Sequence, residues 1–229
     1  MDDYGGRVIL YSALLDDFYP FDIFHPDAEK RILQAGELPD NNDGYLIVWG
    51  GGDIHPSQYG RENVASNTTG QPTRRDVEEE RMMRRAIEIG LPIVGVCRGA
   101  QLACALAGGI LVQHVTGHTS THMMITGTGR RLTTSSLHHQ LMYPWALPDE
   151  DYEIIGHATP SRSKEYLGLT EYEEQVAAYE VEPEIIWFPR IKALAIQGHP
   201  EFMEANCDFN QYVRELIHER IQKSVFLPS

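Results

Sequence analysis

The chain has 229 residues and a mass of 25.9 kDa, which suits one α/β domain over 1–229 and is long enough to bury a substantial core. Lys+Arg 19 against Asp+Glu 33 give a formal charge of −14, which repels phosphate backbones and anionic lipid, so neither nucleic acid nor a membrane is expected as a partner. Three cysteines behind an amino terminus without a basic start and apolar stretch predict reduced thiols in a cytoplasmic protein, and the longest nearly apolar run, Leu102 to Val112, falls far short of the roughly 20 residues that span a bilayer.

Short apolar runs rich in β-branched residues have strand length. They are Val8 to Tyr11, Tyr45 to Trp49, Pro92 to Val96, Ile110 to Gln113, Ile185 to Phe188 and Ala193 to Gln197. Between the second and third, Asp76 to Gly90 carries Met82, Met83, Ala86 and Ile87 on one helical stripe, with Asp76 as the expected cap and Gly90 as the stop. A second helix follows Cys97 to Ala107 and ends at Gly108 and Gly109. Thr116 to Glu174 is less regular and predicts loops and antiparallel strands. Glu171 to Glu184 is acidic and reads as a solvated surface segment. The tail from Asn206 to Lys223 spaces Phe209, Val213, Leu216, Ile217 and Ile221 as a closing helix. Strands alternating with helices imply parallel βαβ units and a sheet covered on both faces.

The stretch LPIVGVCRGAQLACALAGG sets a buried strand, then Cys97 between Gly95 and Gly99, then a helix. That order suggests a nucleophile elbow, in which a tight strand-to-helix turn exposes the side chain at the carboxyl edge of a sheet. The helix amino terminus favours negative charge and hence thiolate, and the Arg98 backbone N–H would point at the same spot, ready for an oxyanion. Cys104 and Cys207 lack flanking glycines and read as packing residues.

A thiol nucleophile needs a base. ALAIQGHPEF offers His199 after another buried strand, with Glu201 two residues on, where an extended chain projects both side chains to one side. Glu201 could then fix the imidazole tautomer, as the third member of a triad does. Trp49-Gly50-Gly51-Gly52-Asp53 follows a strand and reads as the second half of an oxyanion hole. It has neither the dinucleotide pattern nor the Gly-Lys-Ser/Thr ending of a phosphate loop. His138-His139-Gln140 either lines a substrate pocket or forms an exposed turn. His114, His118 and His122 are spaced by four, but Val115, Thr116, Gly117, Thr119, Ser120 and Thr121 form helices poorly, so no metal-binding face is expected.

Together these residues resemble the class I glutamine amidotransferase superfamily, nearest its γ-glutamyl hydrolase (peptidase C26) branch, which includes γ-glutamyl-γ-aminobutyrate hydrolases. The resemblance is carried by Gly95-x-Cys97-Arg98-Gly99-x-Gln101, by Gly50-Gly51-Gly52-Asp53-x-x-Pro56 with Tyr59-Gly60, by Ser136-x-His138-His139-Gln140 and by Gln197-x-His199-Pro200-Glu201, in that family's order. It implies a flavodoxin-like three-layer sandwich, with a mostly parallel central sheet and helices on both faces, and no metal or other cofactor. It also implies roles: Cys97 as nucleophile, His199 as base and acid, Glu201 as its orienter, and the backbone N–H of Arg98 with one of Gly51 or Gly52 as oxyanion donors. Gln101, His138, His139 and Gln140 are implied in substrate binding.

The expected substrate is glutamine or a γ-glutamyl amine, cleaved through a γ-glutamyl thioester. An ammonia-donating subunit serving a separate synthase chain and a catalytically silent binding protein are the alternatives, and a homo-oligomer is compatible with either. Three departures bear on the pocket rim. Residues 12 to 43 are short for a first helix and second strand, Gly198 stands where a bulky aromatic is common, and no Asp-Gly hairpin turn precedes Ile185.

Overall fold

A computed structural model describes residues 8–176 and 181–222 of the chain. In chain order it contains β1 (Ile9–Ala13), α1 (Phe21–Phe24), β2 (Glu29–Leu33), β3 (Gly44–Val48), α2 (Arg74–Ile89), β4 (Ile93–Val96), α3 (Arg98–Ala107), β5 (Ile110–Val112) and β6 (His114–Val115). There follow β7 (His122–Thr126), β8 (Arg131–Thr134), β9 (Leu141–Tyr143), β10 (Glu153–Ala158), β11 (Tyr166–Leu167), α4 (Glu171–Val176), β12 (Pro183–Phe188), β13 (Ala193–Ile196) and α5 (Asp208–Leu216).

Nine strands form one sheet in the order β2-β1-β3-β4-β13-β12-β10-β7-β8. It is parallel from β2 to β13 and antiparallel from β13 to β8, a mixed sheet within an α/β flavodoxin-like sandwich. Alternation along each strand sends neighbouring side chains to opposite layers. Tyr11, Leu46, Val48 and Ile93 pack with Met82, Met83, Ala86 and Ala100 of α2 and α3. Leu10, Tyr45, Ile47 and Val94 pack with Phe209, Val213 and Leu216 of α5 on the other face. No helix among the described residues is long and apolar enough to cross a membrane.

Several elements differ from expectation. Thr73, not Asp76, caps α2: Asp76 N donates to Thr73 Oγ1 at 3.1 Å and Thr73 N donates back to Asp76 Oδ2 at 2.7 Å, a reciprocal capping box. Gly90 ends the helix in the left-handed region at φ 72°. Strand β2 has no apolar run because it is a half-exposed edge, EKRIL. β5 pairs with β9 in a separate two-stranded sheet rather than joining the central one. The closing helix starts at Asp208 and continues as a π-turn over Ile217–Gln222, and Lys223 lies outside the described residues. The acidic stretch also divides. In α4, Glu171, Tyr172 and Gln175 are exposed, whereas Glu182 and Glu184 are fully buried. Ahead of Ile185, Tyr166 Oη donates to Glu182 Oε1 at 2.6 Å and the Arg162 and Ser163 amides donate to the same carboxylate.

Candidate active site

β3, β4 and β13 lie side by side and parallel, so the glycine loop, Cys97 and His199 leave the same edge of the sheet. Cys97 sits between β4 and α3 at φ 48°, ψ −104°, a conformation that a residue with a Cβ adopts only under strain. Its amide donates to Ile196 O at 2.7 Å and its carbonyl starts α3 by accepting from Gln101 N at 3.0 Å. Gly95 and Gly99 let the turn close, because a Cβ on Gly95 would strike the Gly99 backbone and one on Gly99 the Val48 backbone.

His199 follows β13. Its Nδ1 lies 2.7 Å from Glu201 Oε1, and its ring stacks on Phe202 at 4.7 Å between centroids and 13° between planes. Ser135 holds the His199 main chain twice, with Oγ donating to His199 O at 2.6 Å and accepting from His199 N at 3.1 Å. Nε2 makes no hydrogen bond of ordinary geometry and is left to the neighbouring Cys97 sulfur. Burial alone would lower the His199 pKa, but Cys97 and Glu201 on either side of the ring overcome it and push it up to about 10. The imidazole is thus held between the Cys97 sulfur and the Glu201 carboxylate. Burial pushes the Cys104 thiol up to about 12, which makes it inert.

The glycine loop is clamped from behind, a feature that motif reading missed. The Arg98 side chain turns away from the site and pairs with Asp76 and Glu79 of α2, all of them buried. Arg75 Nε holds Glu79 at 2.7 Å, while its Nη2 donates to Gly50 O at 2.8 Å and to Trp49 O at 3.3 Å. Two guanidiniums and two carboxylates thus join the start of α2 to both the cysteine turn and the loop. The sequence signal was available: Arg75, Asp76 and Glu79 share one side of the first turns of α2.

A pocket of about 390 Å³ opens beside these groups, lined by Leu15, Asp17, Trp49, Gly50, Gly51, Leu137, His199, Glu201 and Phe202. Gly52 is not on that wall. Gln101, His138, His139 and Gln140 also lie elsewhere and bond to the protein itself. Gln101 Nε2 donates to Gln140 O at 3.0 Å, and the Gln140 side chain accepts from Ile54 N at 2.9 Å and donates to Ile54 O at 3.2 Å. His139 Nε2 meets Asp53 Oδ1 at 2.8 Å. His138 is buried, which pushes its pKa down to about 3, and its Nδ1 faces Gln140 O at 2.9 Å. His118 and His122 share no helix, as expected, yet both are buried against Glu184. Gly198 has no room for an aromatic, since a Cβ there would meet Thr134 Oγ1 and come within 2.9 Å of Ser135 O.

The model of the peptidase C26 family matches residues 28–150, more than half of the chain. The chain belongs to the peptidase C26 family. The matched segment includes Cys97 and ends before His199 and Glu201, so the base side of this peptidase C26 site rests on geometry. A Mycobacterium tuberculosis protein bearing a glutamine amidotransferase name is 37% identical over 90 residues, 38% of this chain and 29% of that protein, so the alignment spans under a third of the relative. Among solved structures, a Thermoplasma acidophilum protein described as a subunit of GMP synthase superposes with a TM-score of 0.58 at 14% identity, covering 94% of this chain and 93% of that one. A Thermotoga maritima glutamine amidotransferase gives 0.57 at 13%, covering 97% and 87%. These two likenesses concern the fold.

Proposed function

We propose that the chain hydrolyses the side-chain amide of glutamine or of a γ-glutamyl amine through a Cys97-His199-Glu201 triad. The observation that carries this reading is the His199 imidazole, held by Glu201 on one nitrogen and raised by the Cys97 sulfur on the other, at a pocket of about 390 Å³. The Cys97 thiolate attacks the δ-carbon of the substrate, and the carbonyl π-electrons move onto oxygen. When that tetrahedral adduct collapses, the C–N bond breaks and His199 gives its proton to the departing nitrogen. Neutral His199 then takes a proton from water as the hydroxide adds to the thioester. The C–S bond breaks, releasing glutamate and restoring the thiolate–imidazolium pair.

The Arg98 amide, at the first position of α3, is one oxyanion donor. Gly51 is the better second donor than Gly52. Arg75 draws the Gly50 carbonyl outward, and in a planar trans peptide the Gly51 N–H points the opposite way. Gly51, unlike Gly52, also lines the pocket. Asp17 on the rim offers a carboxylate to the substrate's α-ammonium.

A second reading, delivery of ammonia to a separate synthase chain, draws on the fold shared with the Thermoplasma acidophilum protein described as a GMP synthase component. Steady-state glutamate release from glutamine and from a panel of γ-glutamyl amines, with and without a candidate synthase, tests both. Turnover of an amine substrate without a partner supports the hydrolase, and turnover of glutamine only when a synthase is added supports the second reading. Absence of turnover, together with failure of a glutamine-like diazo-ketone to label Cys97, would leave an inert protein on this fold.

A further inference from the structure

Apart from the residues that line the pocket, two carboxylates and three imidazoles are buried together. Glu182, Glu184 and His118 are at most 1% exposed, and His122 and His138 no more than 5%. Among the described residues, both carboxylates pair with imidazoles and with no Lys or Arg side chain. Two buried negative charges in that setting need a compensating positive charge.

The hydrogen bonds assign which atoms are spoken for. His118 Nε2 donates to Glu182 Oε2 at 3.0 Å, and its Nδ1, 3.4 Å from Glu184 Oε1, makes no hydrogen bond, so a neutral ring carries its lone pair there. His138 Nδ1 faces the Gln140 carbonyl at 2.9 Å, so it must donate and the lone pair is on Nε2, a buried atom with no hydrogen-bond partner. Glu184 Oε1 accepts from His122 Nε2 at 2.7 Å, while Oε2 is likewise buried without a partner. His118, His138 and Glu184 can each offer a ligand atom, an imidazole nitrogen or a carboxylate oxygen, within 4.8 Å of the others, and His118 Nδ1, His138 Nε2 and Glu184 Oε2 are buried without a hydrogen bond.

We propose that His118 Nδ1, His138 Nε2 and Glu184 Oε2 form a buried site for one divalent transition-metal ion of the zinc class. Two neutral imidazoles and one carboxylate suit zinc, cobalt(II) or iron(II), whereas calcium and magnesium require mostly oxygen ligands. Each ligand already has the outer partner that metal sites use to orient it: Glu182 behind His118, the Gln140 carbonyl behind His138 and His122 behind Glu184. Bonds of about 2.0–2.2 Å would draw the ligand atoms roughly 3.3 Å apart, a closure within reach of small side-chain rotations. The rival arrangement is a protonated His118 shared between Glu182 and Glu184. That arrangement gives His138 Nε2 and Glu184 Oε2 nothing to bind.

The ion would have a structural task. His118 comes from the loop before β7, His138 from the segment after β8 and Glu184 from β12. Ser135 and Leu137 belong to that second segment just ahead of His138, the first holding the His199 main chain and the second lining the pocket. The metal would therefore fix the wall on which the base stands, without touching substrate.

The test uses the full chain with Cys97→Ala, so that the nucleophile cannot act as a ligand. The protein is stripped with a chelator, verified metal-free by elemental analysis and titrated with zinc and with cobalt(II). Expected are one equivalent bound, visible cobalt d–d bands without a sulfur charge-transfer band, and a Tm rise of about 5–10 °C at a hundredfold excess over Kd. Affinity should fall at least about 100-fold in His138→Gln and in Glu184→Gln. Folded Cys97→Ala chain that takes up no stoichiometric zinc, or variants that bind as well as this parent, would overturn the site. The parent's stoichiometry and cobalt spectrum decide the matter even where a variant does not fold.

Discussion

Gly50 lies so close to His199 that a single added carbon would stand 2.8 Å from its Cε1, and 3.5 Å from the Cβ of Cys97. The loop is therefore the third wall of the Cys97-His199 contact, and its first glycine is a space requirement. Gly50→Ala should push the imidazole off the sulfur and lower kcat by about 100-fold, with KM little changed. Steady-state kinetics with glutamine or the best γ-glutamyl amine checks this. Unchanged kcat would mean that His199 does not need its present position.

Cys97→Ala should lower turnover by at least about 10⁴-fold while leaving Tm near that of the parent. Cys104→Ala should keep the activity, since Cys104 is packed inside α3 with its thiol pushed up to about 12. Iodoacetamide followed by mass spectrometry gives an independent measurement: native protein should be alkylated at Cys97 and not at Cys104 until it unfolds.

Glu201→Gln should reduce kcat by roughly 10²–10⁴-fold, because the amide can no longer fix the tautomer of His199 through Nδ1. The KM for substrate should move far less. A proportional rise in KM instead would make Glu201 a substrate-binding group.

The Arg98 cluster should behave as one unit. Asp76→Asn leaves buried guanidinium charge uncompensated, at a cost of about 3–5 kcal/mol, and calorimetry should record a Tm drop of roughly 10 °C or more. Arg75→Met should spare stability more and activity less, because it releases the Gly50 carbonyl and with it the aim of the Gly51 amide. Equal activity of Arg75→Met and parent would remove Gly51 from the oxyanion hole.

A pH effect follows from His199. In the unfolded chain an imidazole loses its proton near pH 6.5, whereas in the fold it holds the proton up to about 10. A raised pKa stabilises the fold fully below the lower value, and that stabilisation is lost as pH rises through the higher one. The Tm advantage of the parent over His199→Gln should thus be greatest near pH 6 and shrink between about 6.5 and 10. A pH-independent gap would contradict the ion pair.

Much of the site was legible because its chemistry is local. Cys97 with its glycines, the glycine loop after β3 and the His199-Glu201 pair each occupy a few consecutive residues, and the parallel order of β3, β4 and β13 brings them together. What stayed hidden depends on distant pairings. Glu182 and Glu184 read as part of an acidic surface because their partners, His118 and His122, are some sixty residues away. Strand β2 is too polar to announce itself, since the edge of a sheet has no second neighbour demanding apolar side chains. Arg98 was read for its backbone N–H alone, and its side chain proves to tie α3 to α2 through Asp76 and Glu79. Gln101 and Gln140 likewise bond to backbone carbonyls and amides rather than standing on the pocket wall.

The space over Gly198 has a consequence for how this site can change. Thr134 and Ser135 fill the volume that a side chain at 198 would claim, with Phe209 behind them at 3.5 Å. The two obstacles differ in kind, since Thr134 Oγ1 ends a side chain whereas Ser135 O is main chain. An aromatic introduced at 198 should therefore be rejected even after Thr134→Gly, and the position can admit one only if the main chain at residue 135, whose side chain also holds His199, is rebuilt with it.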